Sequence, residues 1–232
     1  MLDNDICNRV FVIIPVLNER WAIKEVIQSL LPFGFAIVII DDGSSENMKE
    51  EIDLFDSVHY LKHKVNLGQG AALQTGIEFS LQYGADFIIT FDGDGQHSAE
   101  DIPSMLKPLQ QKFADVTLAS RFLKEDLQNA SWARRIVLKA GCILNYLFTG
   151  IYLSDAHNGL RAMTRSTAQK IKIKENRMAH ATEFLFLIQK HHLRYQEIPA
   201  KITYSWYSKK KGQSLFNSVR ITFDLVLHKL FE

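Results

Sequence analysis

Two cysteines, Cys7 and Cys142, are too few to staple a chain of 232 residues. A disulfide framework is therefore excluded, and a reducing compartment is expected. Long apolar runs are missing as well. The longest uncharged stretches, Val26–Ile40 and Ala140–Ser154, are broken by Pro32 and Gly34 in the first and by glycine and asparagine in the second. A membrane-spanning helix needs about 20 apolar residues in succession, so neither stretch spans. The start, Met1-Leu2-Asp3-Asn4-Asp5, lacks the positive charge that opens a secretory signal, and export is not expected. No internal repeat, low-complexity tract or linker interrupts the chain, and proline (5) and glycine (12) are sparse. Collagen-like, coiled-coil and disordered classes are thereby excluded. What remains is 47% hydrophobic and 23% charged residues, the make-up of a soluble domain with a sizeable core.

Net charge is nearly absent, at +1, but it is unevenly spread. Residues 1–120 hold 18 Asp/Glu against 8 Lys/Arg, a net of −10, and residues 121–232 hold 8 against 19, a net of +11. Such asymmetry points to an anionic partner on the basic side, either nucleic acid or an anionic membrane.

The first half alternates between two periods. VFVIIP (Val10–Pro15), FAIVII (Phe35–Ile40) and DFIITF (Asp86–Phe91) read as strands buried on both faces. Shorter strands are expected at Val58–Leu61 and Asp115–Ala119, and helices at Trp21–Leu31, Ser45–Leu54, Gly70–Tyr83 and Ile102–Lys112. This alternation predicts an α/β fold with a mostly parallel sheet flanked by helices. Ligands of such sheets bind at the carboxyl ends of the strands. In the second half the patterns predict helices at Trp132–Phe148 and Ala181–His191, an edge strand at Tyr195–Ile202, and an amphipathic helix over Ser214–Phe231. That last helix carries Leu215, Phe216, Val219, Phe223, Val226, Leu227 and Leu230 on one stripe.

Three polar clusters follow predicted strands: Asn18-Glu19, Asp41-Asp42 and Asp92-Gly93-Asp94. A D-x-D pair in a turn lets two carboxylates approach one divalent cation. Hard oxygen ligands favour Mg2+ or Mn2+, with substrate phosphates completing the shell. His97 reads either as a turn or core histidine or as a metal or phosphate contact. Asn66-Leu67-Gly68-Gln69-Gly70 opens a helix with small residues. Gly70 there serves either close packing or a nucleotide contact. No G-x-x-x-x-G-K-[ST] loop is present.

Together, PVLNE (Pro15–Glu19), DDGS (Asp41–Ser44), NLGQGAA (Asn66–Ala72), DGDGQH (Asp92–His97) and Ser120-Arg121 resemble, in order and spacing, family 2 glycosyltransferases. DAHNGLRAMTR (Asp155–Arg165) and KKKGQS (Lys209–Ser214) are similar to the acceptor-side motifs of dolichyl- or polyprenyl-phosphate sugar synthases. The resemblance implies a GT-A fold, with residues 1–212 as the transferase domain and 213–232 as a terminal helix. Within the domain, 1–120 would form the nucleotide-sugar half and 121–212 the acceptor half. It further implies inverting, metal-dependent transfer from a UDP- or GDP-linked sugar. Pro15, Asn18, Glu19 and Asp42 would line the nucleotide pocket and Asp41 would shape it. Asp92 and Asp94 would hold the cation, with Gln96 beside them, and Arg121 would face phosphates. Lys209 stands where the subgroup usually has arginine.

Glu183 sits where the family often places a base, and it equally suits a helix start. Arg134, Arg135 and Arg161, with Lys209 and Ser214, are candidates for an acceptor phosphate. The expected acceptor is a polyprenyl phosphate, met at the cytoplasmic face of the membrane or through a small membrane-protein partner, with no nucleic acid involved. A saccharide hydroxyl is the alternative acceptor, for which Glu183 would be indispensable. A sugar-phosphate nucleotidyltransferase is the alternative of another class. PVLNE stands where that class carries its glycine-rich loop.

Overall fold

Continuous apolar runs form the middle of the sheet because both of their faces are covered. β1 (Val10–Val16) is buried throughout, and β2 (Ala36–Asp41) and β4 (Phe87–Thr90) nearly so. The computed structural model describes residues 9–55, 57–123, 142–143, 146–147, 149–155, 158–177 and 179–201. Within them, β3 (Val58–Lys62), β5 (Val116–Ser120), β6 (Arg161–Thr164) and β7 (Tyr195–Pro199) join the sheet in the order β3-β2-β1-β4-β6-β5-β7. β6 runs antiparallel to both its neighbours, β4 and β5. The other pairs are parallel.

Alternation along β1 divides the core. Val10, Val12, Ile14 and Val16 pack with α1 (Arg20–Leu30) and α4 (Ile102–Gln110) on one face. Phe11 and Ile13 pack with α3 (Gln69–Gln82) and α6 (His180–Lys190) on the other. Each buried aliphatic side chain contributes about 1.5–3 kcal/mol, so this two-sided burial is what holds the strand ends in register.

The expected helix over Ser45–Leu54 is shortened to α2 (Lys49–Ile52). Its opening residues are bound elsewhere: Ser44 N donates to Asp41 Oδ1 and Ser45 N to Asn18 Oδ1. β6 and the short α5 (Arg165–Lys170) had no periodic signal. Four residues headed by an arginine carry too little pattern to read as a buried strand. β7 is the expected edge strand. Most of Trp132–Phe148 and all of Ser214–Phe231 lie outside the described residues. Among the described residues no helix is long and apolar enough to cross a membrane.

The sheet opens where β1 and β4 part. Ile13 O accepts from Phe91 N at 2.9 Å, while Val16 O accepts from Asp42 N on the other side. Odd residues of β1 thus face β4, which ends at Thr90 opposite Ile13. Pro15 falls beyond that end, so its missing N–H breaks no ladder. Chain direction across the sheet also reverses here, β2 and β3 lying to one side of β1 and β4 to the other, which places a ligand crevice at this point.

Candidate active site

The loops after β1 and β2 are latched together. Asn18, at φ 55°, donates its backbone N–H to Ser44 Oγ and accepts from Ser45 N and Oγ at 3.0 and 3.1 Å. Asp41 is fully buried and accepts from Ser44 N, Tyr60 Oη and Lys62 Nζ. Burial would raise its carboxyl, but those bonds outweigh it and hold the group below the usual range. Asp42 is also buried. Its Oδ1 meets Leu67 N at 3.0 Å and His63 Nδ1 at 2.8 Å, and its Oδ2 accepts from Gly68 N at 2.7 Å. Both aspartates therefore fasten the rim of the crevice: Asp42 is engaged with the 67–68 backbone.

The loop leaving β4 carries two half-buried carboxylates, Asp92 and Asp94. Asp92 keeps 31% of its side chain accessible and touches His97 Nε2 through Oδ2 at 2.8 Å and Gln69 Nε2 through Oδ1 at 3.2 Å. Desolvation would raise its carboxyl, but the hydrogen bond to His97 and the positive charge of Arg161 outweigh it and hold it low. Asp94 is pushed the other way, by burial first and by the charge of Asp92 second. Gln96 bonds Asp94 twice, through its backbone N at 3.1 Å and its side-chain Nε2. Glu19 reaches the same loop, since a Cβ built on Gly93 would lie 2.8 Å from its Oε2. Among the described residues no three His, Cys, Asp or Glu side chains form a closed metal cage. The donor set is two neighbouring hard carboxylates, one of them disfavoured as an anion by the other. That fits a Mg2+ or Mn2+ site left open for substrate phosphates.

In the acceptor half the structure redistributes several expected roles. Arg121 sends Nε and Nη2 to the two oxygens of Asp155, both at 2.7 Å. That pair holds one edge of its guanidinium in place at the sheet end. Asp155 is buried beside Asn158, and the Ser154 backbone and hydroxyl are held by Glu197. Arg161 is 4% exposed, gives Nε to Asn158 O at 3.2 Å and stacks 4.5 Å over the Phe184 ring. Burial lowers it to about 10, against the raising charges of Asp92 and Asp155. It lines a narrow pocket with Gln69, Asp92, Gly159, His180 and Phe184, directly against the D-x-D loop. His180 is lowered to about 4, by burial first and by Arg161 second, so it is neutral at pH 7.

Glu183 is buried. Its carboxylate accepts from Lys174 N at 3.0 Å and Glu175 N at 2.8 Å, which makes it a loop anchor and counts against a base. Gly70 packs closely: a Cβ there would lie 1.9 Å from Glu175 O. At the N-terminus of α3, Asn176 O accepts from Gly70 N at 2.8 Å, so the close packing expected of Gly70 is present. Arg134, Arg135, Lys209 and Ser214 lie outside the described residues. Sequence reasoning left out Asp155, Asn158, Gln69 and Glu197. The first two stand in the DAHNGLRAMTR motif as a polar cluster before an apolar pair, which was a usable signal. Gln69 stands inside NLGQGAA, which was likewise a usable signal, and Glu197 had none.

A family model described as glycosyl transferase family 2 matches residues 11–172. An uncharacterized protein of Methanocaldococcus jannaschii is 35% identical over 97% of this chain and 93% of its own. The UDP-N-acetylglucosamine–dolichyl-phosphate N-acetylglucosaminyltransferase of Methanococcus voltae is 28% identical over 95% of this chain and 96% of its own. The polyprenol monophosphomannose synthase of Mycolicibacterium smegmatis is 28% identical over 71% of this chain and 65% of its own. Among solved structures, glucosyl-3-phosphoglycerate synthase from Mycobacterium tuberculosis, crystallised with Mn2+, UDP and glucosyl-3-phosphoglycerate, superposes with a TM-score of 0.67 at 13% identity. The superposition covers 96% of this chain and 79% of that one, and it is a likeness of fold.

Proposed function

The chain belongs to glycosyl transferase family 2 and has the GT-A fold, and from that premise we propose that it moves one sugar, with inversion, from a nucleotide-sugar to a polyprenyl phosphate. The observation that carries the reading is the placement of Asp92 and Asp94 on the loop leaving β4, at the crevice where β1 and β4 part. Relatives named for dolichyl- and polyprenyl-phosphate sugar transfer support the acceptor class.

Asp92 and Asp94 would hold Mg2+ or Mn2+, with Gln96 orienting Asp94. A cation bound there neutralises charge developing on the nucleoside diphosphate as it leaves. Glu19 and Asn18 lie along the β1 side of the crevice, where a UDP- or GDP-linked donor would rest. An acceptor phosphate oxygen bonds to the anomeric carbon as the bond from that carbon to the diphosphate breaks. The phosphate is already anionic and needs no base, in keeping with the engagement of both Glu183 oxygens by backbone. Arg134, Arg135, Lys209 and Ser214, with Arg161 lining the pocket beside Asp92, are the groups we assign to the acceptor phosphate. The reading places the enzyme peripherally on the inner face of the membrane, through residues 213–232 or a small membrane-protein partner.

A donor screen tests the proposal. Purified protein is incubated with short-chain polyprenyl phosphate and UDP-, GDP- and CDP-sugars, with Mn2+ or with EDTA. Metal-dependent transfer to the lipid phosphate from one donor is expected. Transfer only to a saccharide hydroxyl, or full turnover in EDTA, would refute it.

A further inference from the structure

The His97 imidazole makes one hydrogen bond and leaves one nitrogen bare. Its side chain is 3% exposed, and Nε2 lies 2.8 Å from Asp92 Oδ2. Nδ1 is buried with no partner among the described residues. The ring stands edge-on to Phe91, with centroids 5.4 Å apart. A buried polar atom without a partner is costly, and an apolar ring would fill the same space without that cost. What the imidazole adds is the Nε2–H aimed at Asp92. With Nδ1 facing only protein, the proton belongs on Nε2, where it donates to the carboxylate.

The other Asp92 oxygen is held from a different element. Gln69, the first residue of α3, donates Nε2 to Oδ1 at 3.2 Å. The carboxylate also rests on a bare Cα: a Cβ on Gly159 would lie 2.3 Å from Oδ2 and 2.6 Å from Oδ1. Three chain segments, far apart in sequence, thus meet at one carboxylate. Rotation about its terminal bond would break one bond or the other.

We propose that His97 and Gln69 are positioning residues that clamp the two oxygens of Asp92 and so set the direction in which it meets the cation and the donor diphosphate. The inference rests on the reading that Asp92 serves that complex. Outer partners of this kind typically change metal affinity 10–100-fold when removed. The clamp acts through Asp92, and neither residue need touch substrate.

The test measures binding, without turnover. Mn2+ is titrated into full-length protein with UDP or GDP present, free Mn2+ is followed by electron paramagnetic resonance, and melting curves are taken alongside. His97→Phe keeps a ring in the cavity and removes the donor; Mn2+ affinity is expected to fall about 10–100-fold. His97→Gln returns an N–H towards the same oxygen and should recover most of it. Gln69→Leu leaves the imidazole cavity untouched, and about a tenfold loss is expected. Wild-type affinity in both His97→Phe and Gln69→Leu would overturn the clamp. So would equal losses in His97→Phe and His97→Gln, because the effect would then belong to ring packing. If His97→Phe does not fold, Gln69→Leu against His97→Gln still decides. Wild-type protein that binds no Mn2+ with either nucleotide would instead defeat the underlying metal reading.

Discussion

Arg121 and Asp155 form a two-pronged pair, with Asp155 buried and Arg121 about one-third exposed at its side chain. Among the described residues, removing the arginine leaves a carboxylate inside the protein with Asn158 and the residue-121 backbone N–H to meet it. Breaking a buried pair from one side costs about 3–5 kcal/mol, and the exposure of Arg121 puts this one at about 3 kcal/mol or less. Arg121→Ala is therefore expected to lower the melting temperature clearly, and Arg121→Ala with Asp155→Asn to recover part of the loss, as read in chemical denaturation. Asp94 behaves oppositely. Its carboxyl is raised by burial and then by Asp92, so the folded protein holds that proton more tightly than the unfolded chain. The stabilisation from this group is complete below the unfolded value and is lost as pH rises through the folded one. Asp94→Asn should thus raise the melting temperature of metal-free protein at pH 7, an advantage that vanishes in acid, while abolishing the thermal response to Mn2+. Melts at pH 4 and pH 7, with and without Mn2+, check both halves. An undiminished Mn2+ response in Asp94→Asn would show that Asp94 is not a ligand.

At the level of elements, the decisive contact is between the 171–177 loop and the start of α3. The helix has no side-chain cap. Its free N–H groups, which would otherwise suit an anion, are met by Asn176 O. Glu183 on α6 holds that loop in place through Lys174 N and Glu175 N. Glu183→Gln keeps the shape but removes the charge, and hydrogen bonds to charged groups are worth about 1.5–3 kcal/mol. The variant should lose stability in that range. Its activity should fall far less than the roughly 10²–10⁴-fold that follows loss of a general base. Gly70→Ala, with its Cβ 1.9 Å from Glu175 O, must displace the same loop and is expected to cost about 1–3 kcal/mol. Urea denaturation with initial rates separates the two effects, and a collapse of rate in Glu183→Gln at unchanged stability would restore the base.

For the whole molecule, charge is divided by sequence: −10 in residues 1–120 and +11 in residues 121–232. In the sequence, Lys209–Lys211 add a basic run, and the helix expected over Ser214–Phe231 would present an insertable apolar face. Basic residues near an anionic surface contribute about 1 kcal/mol each, so three alone would give weak, salt-sensitive attachment. An inserted helix face adds to that. Full-length protein should therefore sediment with anionic liposomes and remain bound in moderate salt, while a chain ending at Gly212 stays in the supernatant, folded. Full-length protein left in the supernatant at low salt would assign the stripe to packing or to a protein partner.

Period and turn chemistry act between near neighbours, and that is why the sequence alone sufficed for the parallel strands, most of the helices and the three polar clusters at the strand ends. Val10–Pro15 and Asp86–Phe91 declare burial on both faces without reference to the rest of the chain. The ordered motifs likewise determined the family. The antiparallel β6 escaped because its identity as a strand comes from β4 and β5 on either side, not from its own four residues. The employment of each charge was decided by tertiary structure alone. Asp42 is tied to the backbone at Leu67 and Gly68, Arg121 to Asp155, and Glu183 to Lys174 and Glu175. Arg161 is shut inside against Phe184. A residue type states what charge it carries, but whether that charge meets a ligand or a backbone amide depends on partners that only the folded chain brings within 3 Å.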